Sequence, residues 1–163
     1  MQKTARSVGL GTRYRERLSP SLWALVSAAL AGPMAALVFA PIDTTVALII
    51  GAVVGVAVIA LLVAGAPVID VRNGVLRAGR AHIDVGFLGE SVIATGEQAR
   101  HARGPGLDPR SWHVIRGGID GVVVTAVTDP DDPTPSWVMS SRTPDRLAAA
   151  IRVAQATQRT PSR

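Results

Sequence analysis

The chain has 163 residues, of which 48% are hydrophobic and 18% charged, with a mean hydropathy of +0.31 and a formal net charge of +5. Soluble domains carry about 25% charged residues, and nucleic-acid-binding domains are richer in basic and aromatic side chains. With one Lys and 4% aromatic residues, the composition disfavours a disordered chain and a nucleic-acid partner. The absence of Cys excludes disulfides, thiolate nucleophiles and Cys-based zinc sites.

The hydrophobic residues concentrate between positions 22 and 66, where Asp43 alone is charged. A break at 41–45 divides this block into runs 22–40 and 46–66, each long enough as a helix to cross the roughly 30 Å of a bilayer core. We predict two transmembrane helices joined by a tight turn. The alternatives are a buried helical hairpin of a soluble protein and a signal peptide cleaved after Ala40. Two adjacent uncharged runs of this length disfavour both.

Flanking charge predicts the orientation of these spans. Basic residues precede the first span and follow the second, whereas the turn carries only Asp43. The positive-inside rule therefore places both termini in the cytoplasm of a bacterial plasma membrane, with the turn outside. The flanking arginines either set the topology alone or also bind anionic lipid. These candidate membrane-surface residues are Arg13, Arg15, Arg17, Arg72, Arg77 and Arg80.

Small residues within the spans predict close helix packing. Gly32 and Pro33 predict a kink in the first span, since proline lacks a backbone N–H. Gly51 and Gly55 form a GxxxG pattern in the second, which lets helices approach closely. This face would pack either against the first span or against a second copy or another membrane protein. With no ionisable group inside either run, the spans are typical of an anchor rather than a transporter.

From residue 67 onward the hydrophobic pattern alternates with period two, which predicts short strands. Asn73 and Gly74 predict a hairpin turn, and Thr143 followed by Pro144 predicts the start of a helix that ends near Gln158. We therefore expect a small antiparallel β-barrel or sandwich capped by a C-terminal helix, in the order of the pleckstrin-homology-like architecture. The predicted strands are 68–72, 75–80, 81–85, 91–95, 112–116, 122–128 and 136–141, with a helical turn within 96–103.

The resulting organisation has four parts. It comprises a basic cytoplasmic arm 1–17 that is interfacial from Tyr14 to Leu18, a transmembrane hairpin 18–66, a cytoplasmic β-rich domain 67–158, and a tail 159–163. The arm carries a charge of +4 (five basic residues, one acidic), whereas residues 67–163 carry only +2 (twelve basic, ten acidic). A nearly neutral β-rich domain favours a protein partner over a strongly charged ligand.

We find no catalytic, cofactor-binding or metal-ligating pattern. The three histidines have no metal spacing, the acidic residues of 129–132 lack the Gly and distal Glu of a calcium loop, and no serine stands in a nucleophile motif. We therefore predict a protein that is not an enzyme and binds no cofactor. Arg142 directly precedes the C-terminal helix, and a helix start beside an Arg can hold a phosphate or carboxylate. Arg142 and Trp137 are thus a candidate anion or partner surface; the alternative is a solvated Arg and a core Trp.

Several segments resemble a known family. They are 14–18, 76–80, 89–90, 141–144 and above all the string Asp-Pro-x-Asp-Pro-Thr-Pro-x-Trp at 129–137. Through them the chain is similar to an actinobacterial family of small two-span membrane proteins, a domain of unknown function. The resemblance implies a membrane protein of a high-GC Gram-positive bacterium and brings no activity, cofactor or site residue.

The leading functional hypothesis is a membrane-anchored cytoplasmic interaction or scaffold module that is not an enzyme. Its partners would be the lipid bilayer and a membrane protein or a second copy of the chain. One alternative is an anionic-lipid-binding pleckstrin-homology-like domain. Another is an accessory subunit of a cell-envelope membrane complex that docks through Gly51 and Gly55.

Overall fold

A computed structural model describes residues 13–159, and these form two compact units. The first is helical and contains residues 17–67 together with 116–118. The second is β-rich and contains the described residues up to 16, residues 68–115, and those from 119 onward.

The helical unit contains three helices, each with an identifiable start or break. Ser21 Oγ accepts a hydrogen bond from the Ala24 N–H at 3.2 Å at the start of the first, and Asp43 Oδ1 accepts one from the Val46 N–H at 2.9 Å at the start of the third. The first and second are separated by the single residue Leu30, three positions before Pro33, so the helix is interrupted near the predicted kink. The helices are α1 (Leu22–Ala29), α2 (Ala31–Phe39) and α3 (Thr44–Ala64).

The side chains of these helices are mostly exposed. The stretches Leu22–Phe39 and Thr44–Ala64 are long and apolar enough to cross a membrane, and only 6% and 11% of their most apolar windows are buried. Large side chains such as Trp23, Met34 and Leu48 face outward. A helix whose apolar side chains are mostly exposed is unsuited to water, so the two helices suggest membrane anchoring.

The β-rich unit begins with a four-stranded sheet whose strand order follows the chain. The second and third strands pair antiparallel, as do the third and fourth. Asn73 (φ 53°) and Gly74 (φ 75°) both adopt the left-handed conformation that a two-residue type I′ hairpin turn requires, so the predicted hairpin is confirmed. The strands are β1 (Tyr14–Arg17), β2 (Val68–Arg72), β3 (Val75–Ala78) and β4 (Ala81–Asp84).

A second four-stranded sheet has the order β5-β7-β8-β6. The prediction of a small antiparallel barrel or sandwich with a C-terminal helix is confirmed in part. The strands of the described residues form two sheets rather than a closed barrel, and β6 pairs with β8 in parallel. Period-two patterning identifies a strand and its buried face, but it does not specify the neighbouring strand. The strands are β5 (Leu88–Ala94), β6 (Trp112–Val114), β7 (Val122–Val127) and β8 (Ser136–Ser140).

Two helices complete this unit. The predicted C-terminal helix is present as α5 (Pro144–Arg159), and it packs on β5 and β2 through a buried stripe that includes Leu147 and Ile151. Gln155 Nε2 donates to the Leu88 carbonyl oxygen at 2.6 Å, which ties α5 to the start of β5. The short helix α4 (Gly96–Ala102) contacts β5 and β7.

Strand β1 was not expected. Residues Tyr14 to Leu18 were predicted to form an interfacial arm, whereas Tyr14–Arg17 is an outer strand of the first sheet beside β2. Four residues are too few to display a hydrophobic period, so their pairing becomes visible only in three dimensions. The rest of the predicted arm, 1–12, and the end of the tail, 160–163, lie outside the described residues.

Candidate functional site

The β2–β3 hairpin carries a polar cavity of about 240 Å³. In the register of the hairpin, Asp70 lies opposite Arg77, and Arg72 lies opposite Val75. These four residues and Asn73 of the turn line the cavity. The cavity therefore brings two guanidinium groups and one carboxylate together on one face of two neighbouring strands.

Strand alternation explains the position of these polar groups. Ile69 and Val71 are fully buried, so Asp70 and Arg72 lie on the opposite face of β2. Asp70 is nevertheless only 8% exposed. Its Oδ2 forms an ion pair with Arg72 Nη2 at 3.1 Å, whereas its buried Oδ1 has no hydrogen-bond partner among the described residues. Leaving a buried acceptor unsatisfied costs about 1–3 kcal/mol.

The arginines predicted as one membrane-surface set have different surroundings. Arg72 and Arg77 line the cavity, whereas Arg80 is exposed in the turn before β4 and does not line it. Arg17 Nη2 donates to the Val63 carbonyl oxygen near the end of α3 at 2.6 Å. Arg13 and Arg15 are exposed.

A second polar cluster joins β1 to the start of α5. Glu16 accepts hydrogen bonds from the Tyr14 hydroxyl at 2.6 Å, the Ser141 hydroxyl at 2.6 Å and the Arg142 backbone N–H at 2.8 Å. The Tyr14 hydroxyl also lies 2.9 Å from Thr143 Oγ1. Burial, followed by the hydrogen bond to the Glu16 carboxylate, raises the pKa of Tyr14.

This cluster alters the interpretation of Arg142 and Trp137. The carboxylate held beside the helix start belongs to Glu16 of the same chain, so the predicted anion-binding position is filled internally. Trp137 is only 3% exposed, and its ring centroid lies 6.2 Å from that of Trp112. Trp137 therefore lies in the core, which is the alternative that the sequence left open for it.

Sequence reasoning missed the roles of Tyr14, Glu16, Ser141 and Asp70. Glu16 and Ser141 are 125 positions apart, so no local spacing signals their contact. In the sequence, Asp70 has the pattern of an ordinary outward-facing strand residue. Its burial depends on neighbouring residues of the folded sheet. The hairpin turn predicted at Asn73 and Gly74 does place Asp70 opposite Arg77. This turn was the sequence feature that could have indicated the cavity.

The glycine face of α3 is occupied within the helical unit. A Cβ at Gly51 would lie 2.7 Å from the Gly32 carbonyl oxygen, and a Cβ at Gly55 would lie 3.4 Å from Gly32 Cα. The GxxxG pattern therefore packs against the first span, which is one of the two partners predicted for it. An open apolar groove of about 690 Å³, lined by residues that include Pro33 and Leu48, runs beside this contact.

The histidines remain apart, as their positions in the sequence suggested. His82 lies on β4, His101 on α4 and His113 on β6. Among residues 13–159, no group of three or more His, Asp or Glu side chains is arranged to hold a metal ion.

The protein belongs to the α+β class. It has two four-stranded sheets with a packed C-terminal helix, and an apolar hairpin of two packed helices of membrane-spanning length. The chain belongs to the family described as Protein of unknown function (DUF3093), which matches residues 13–151. The matched region contains both apolar helices, all eight strands and the buried stripe of α5 as far as Ile151. No curated protein matches the chain, and no solved structure matches it.

Proposed function

We propose that this protein is a membrane-anchored cytoplasmic interaction module that is not an enzyme. The observation that carries the proposal is the exposure of the apolar helices, whose outward side chains include Leu22, Trp23 and Leu61. The glycine contact between α2 and α3 packs the two helices against each other, and the exterior of the hairpin is apolar. A bilayer satisfies that exterior.

The β-rich unit supplies the interaction surface. It exposes three large apolar side chains, Phe87, Val92 and Val153. Val92 lies on β5, an edge strand of the second sheet, and an edge strand offers unpaired backbone groups to a partner strand. The small net charge of residues 67–163 also favours contact with a protein over a highly charged ligand.

The test is affinity purification of the full chain from membranes in mild detergent. We expect a partner protein in stoichiometric amount with the native chain and with Val92→Thr, which keeps a β-branched side chain on the strand. Val92→Lys should lose the partner, because a charge on the edge strand disfavours strand pairing. Recovery of the native chain without a stoichiometric partner would contradict the proposal.

A second candidate function is the binding of anionic lipid headgroups, and the presence of Arg72 and Arg77 in one cavity favours it. Thermal unfolding of the full chain in detergent should then shift upward with short-chain phosphatidylglycerol and not with phosphatidylcholine, with a smaller shift at high salt. Equal shifts with both lipids would count against this candidate. The alternative of docking on an envelope complex through Gly51 and Gly55 is disfavoured at Gly51, because Gly32 packs against that residue.

A further inference from the structure

We propose that the cavity on the β2–β3 hairpin binds a phosphate group that carries a proton, such as hydrogen phosphate or a phosphate monoester. This inference goes beyond both candidate functions, since it requires neither a partner protein nor an interaction with the bilayer. It rests on the charges that line the cavity and on one buried oxygen atom that has no hydrogen-bond partner in the part of the chain that the structure describes.

The positive groups of the cavity suit an oxyanion. Arg72 and Arg77 lie on the same face of neighbouring strands, and planar guanidinium groups donate paired hydrogen bonds to phosphate oxygens. With Asp70 included, the lining carries a net charge of +1. The volume of about 240 Å³ is below the roughly 300–1,000 Å³ typical of sites for drug-sized ligands, which fits a small group.

Asp70 determines which oxyanion fits. Its Oδ2 is ion-paired with Arg72, while Oδ1 is buried and lacks a donor among residues 13–159. A fully ionised anion such as sulfate has no hydrogen to offer this oxygen and is repelled by its charge. A protonated phosphate satisfies Oδ1 with its hydroxyl while its other oxygens accept from the arginines, and phosphate monoesters have a second pKa near 6, so this form is available around neutral pH.

The differing exposure of the two bonded side chains allows a ligand to enter. The side chain of Arg72 is 49% exposed, whereas that of Asp70 is 12% exposed. The arginine can therefore turn toward an incoming oxyanion while the aspartate stays in place. The Arg77 side chain is exposed and makes no hydrogen bond or ion pair with another described residue, so its donors remain available to the ligand.

The experiment is calorimetric titration of the full chain in neutral detergent with inorganic phosphate and with sulfate. We expect phosphate to bind about tenfold or more tightly than sulfate, as the loss of one charge-assisted hydrogen bond would predict. Arg77→Gln should weaken phosphate binding by about tenfold. Arg80→Gln, which removes the same charge outside the cavity, should leave it unchanged.

A second variant tests the role of the aspartate. Asp70→Asn removes the negative charge and introduces an amide donor, so sulfate affinity should rise to within a few-fold of phosphate affinity. If Asp70→Asn fails to fold, the pair Arg77→Gln and Arg80→Gln still decides the question. Equal affinity of the native chain for phosphate and sulfate, or equal losses in Arg77→Gln and Arg80→Gln, would overturn the proposal.

The source of the phosphate is distinguished by repeating the phosphate titration in nanodiscs. One set contains phosphatidylcholine alone and the other equal parts of phosphatidylcholine and phosphatidic acid, a lipid monoester. Weaker binding of free phosphate in the second set identifies a lipid headgroup as the ligand, and equal binding identifies a soluble phosphate compound. The absence of phosphate binding in both sets would overturn the site and leave the anchor-and-module function standing.

Discussion

Replacing Gly51 with Ala measures how closely the apolar helices pack. A Cβ at this position would lie 2.7 Å from the Gly32 carbonyl oxygen and 2.8 Å from Ala36 Cβ, well inside the about 3.5–4.0 Å at which carbon atoms attract. Gly55, one turn further along the same helix, provides the matched control. Its added Cβ would lie 3.4 Å from Gly32 Cα, which is an ordinary contact.

The two substitutions should therefore differ in sign. Overpacking costs about 1–3 kcal/mol, and Gly→Ala within a helix returns about 0.5–1 kcal/mol. We expect Gly51→Ala to lower the free energy of unfolding by about 0.5–2 kcal/mol. Gly55→Ala should leave it unchanged or raise it by up to about 1 kcal/mol.

The assay is thermal or detergent-induced unfolding of the full chain in micelles, followed by the far-ultraviolet circular dichroism of the helices. The oligomeric state of each variant is recorded as well. Equal destabilisation by the two substitutions, or an equal loss of a dimer in both, would refute the packing of Gly51 against Gly32. The face would then contact a second copy of the chain instead.

The cluster at the start of α5 yields two further predictions. Tyr14 is the chain's single tyrosine, so its phenolate absorbance should report ionisation at a pH above 10.0, the ordinary pKa of a tyrosine. Because the raised pKa makes the folded state hold its proton longer, the free energy of unfolding should fall as pH rises above 10. The variant Tyr14→Phe should lack that fall. Titration of Tyr14 at or below 10 would contradict this. Glu16→Gln should lower the free energy of unfolding by about 1–3 kcal/mol, since an amide nitrogen cannot accept the bonds that the carboxylate accepts. The exposed Glu90→Gln should change it by less than about 0.5 kcal/mol, and similar losses in the two variants would argue against the cluster.

Much of the fold was predictable because its signals are local. Asn73 and Gly74 are adjacent residues that favour the left-handed turn, and Thr143 with Pro144 marks the start of α5. The apolar length of 22–40 and 46–66 is likewise a property of a continuous segment. Each of these features is determined by residues that are neighbours in the chain, and the structure contains each one.

The remaining features depend on residues distant in the chain. The parallel pairing of β6 with β8 arises because β8 lies between β7 and β6, and the burial of Asp70 depends on how the first sheet assembles. The carboxylate of Glu16 reaches the start of α5 only because β1 joins that sheet. A four-residue strand that contains two arginines carries no pattern that distinguishes it from a basic arm. These residues were therefore predicted to lie at the membrane surface.

The central proposal, that the hairpin spans the membrane and leaves the β-rich unit on the cytoplasmic side, is tested most directly by labelling. Because the chain lacks Cys, Ile42→Cys between the two spans and Asp131→Cys in the exposed loop before β8 each introduce a unique thiol. In right-side-out membrane vesicles, a membrane-impermeant maleimide should label position 42 at once and position 131 only after permeabilisation. Labelling of position 131 in intact vesicles, or protection of position 42, would contradict the proposed topology.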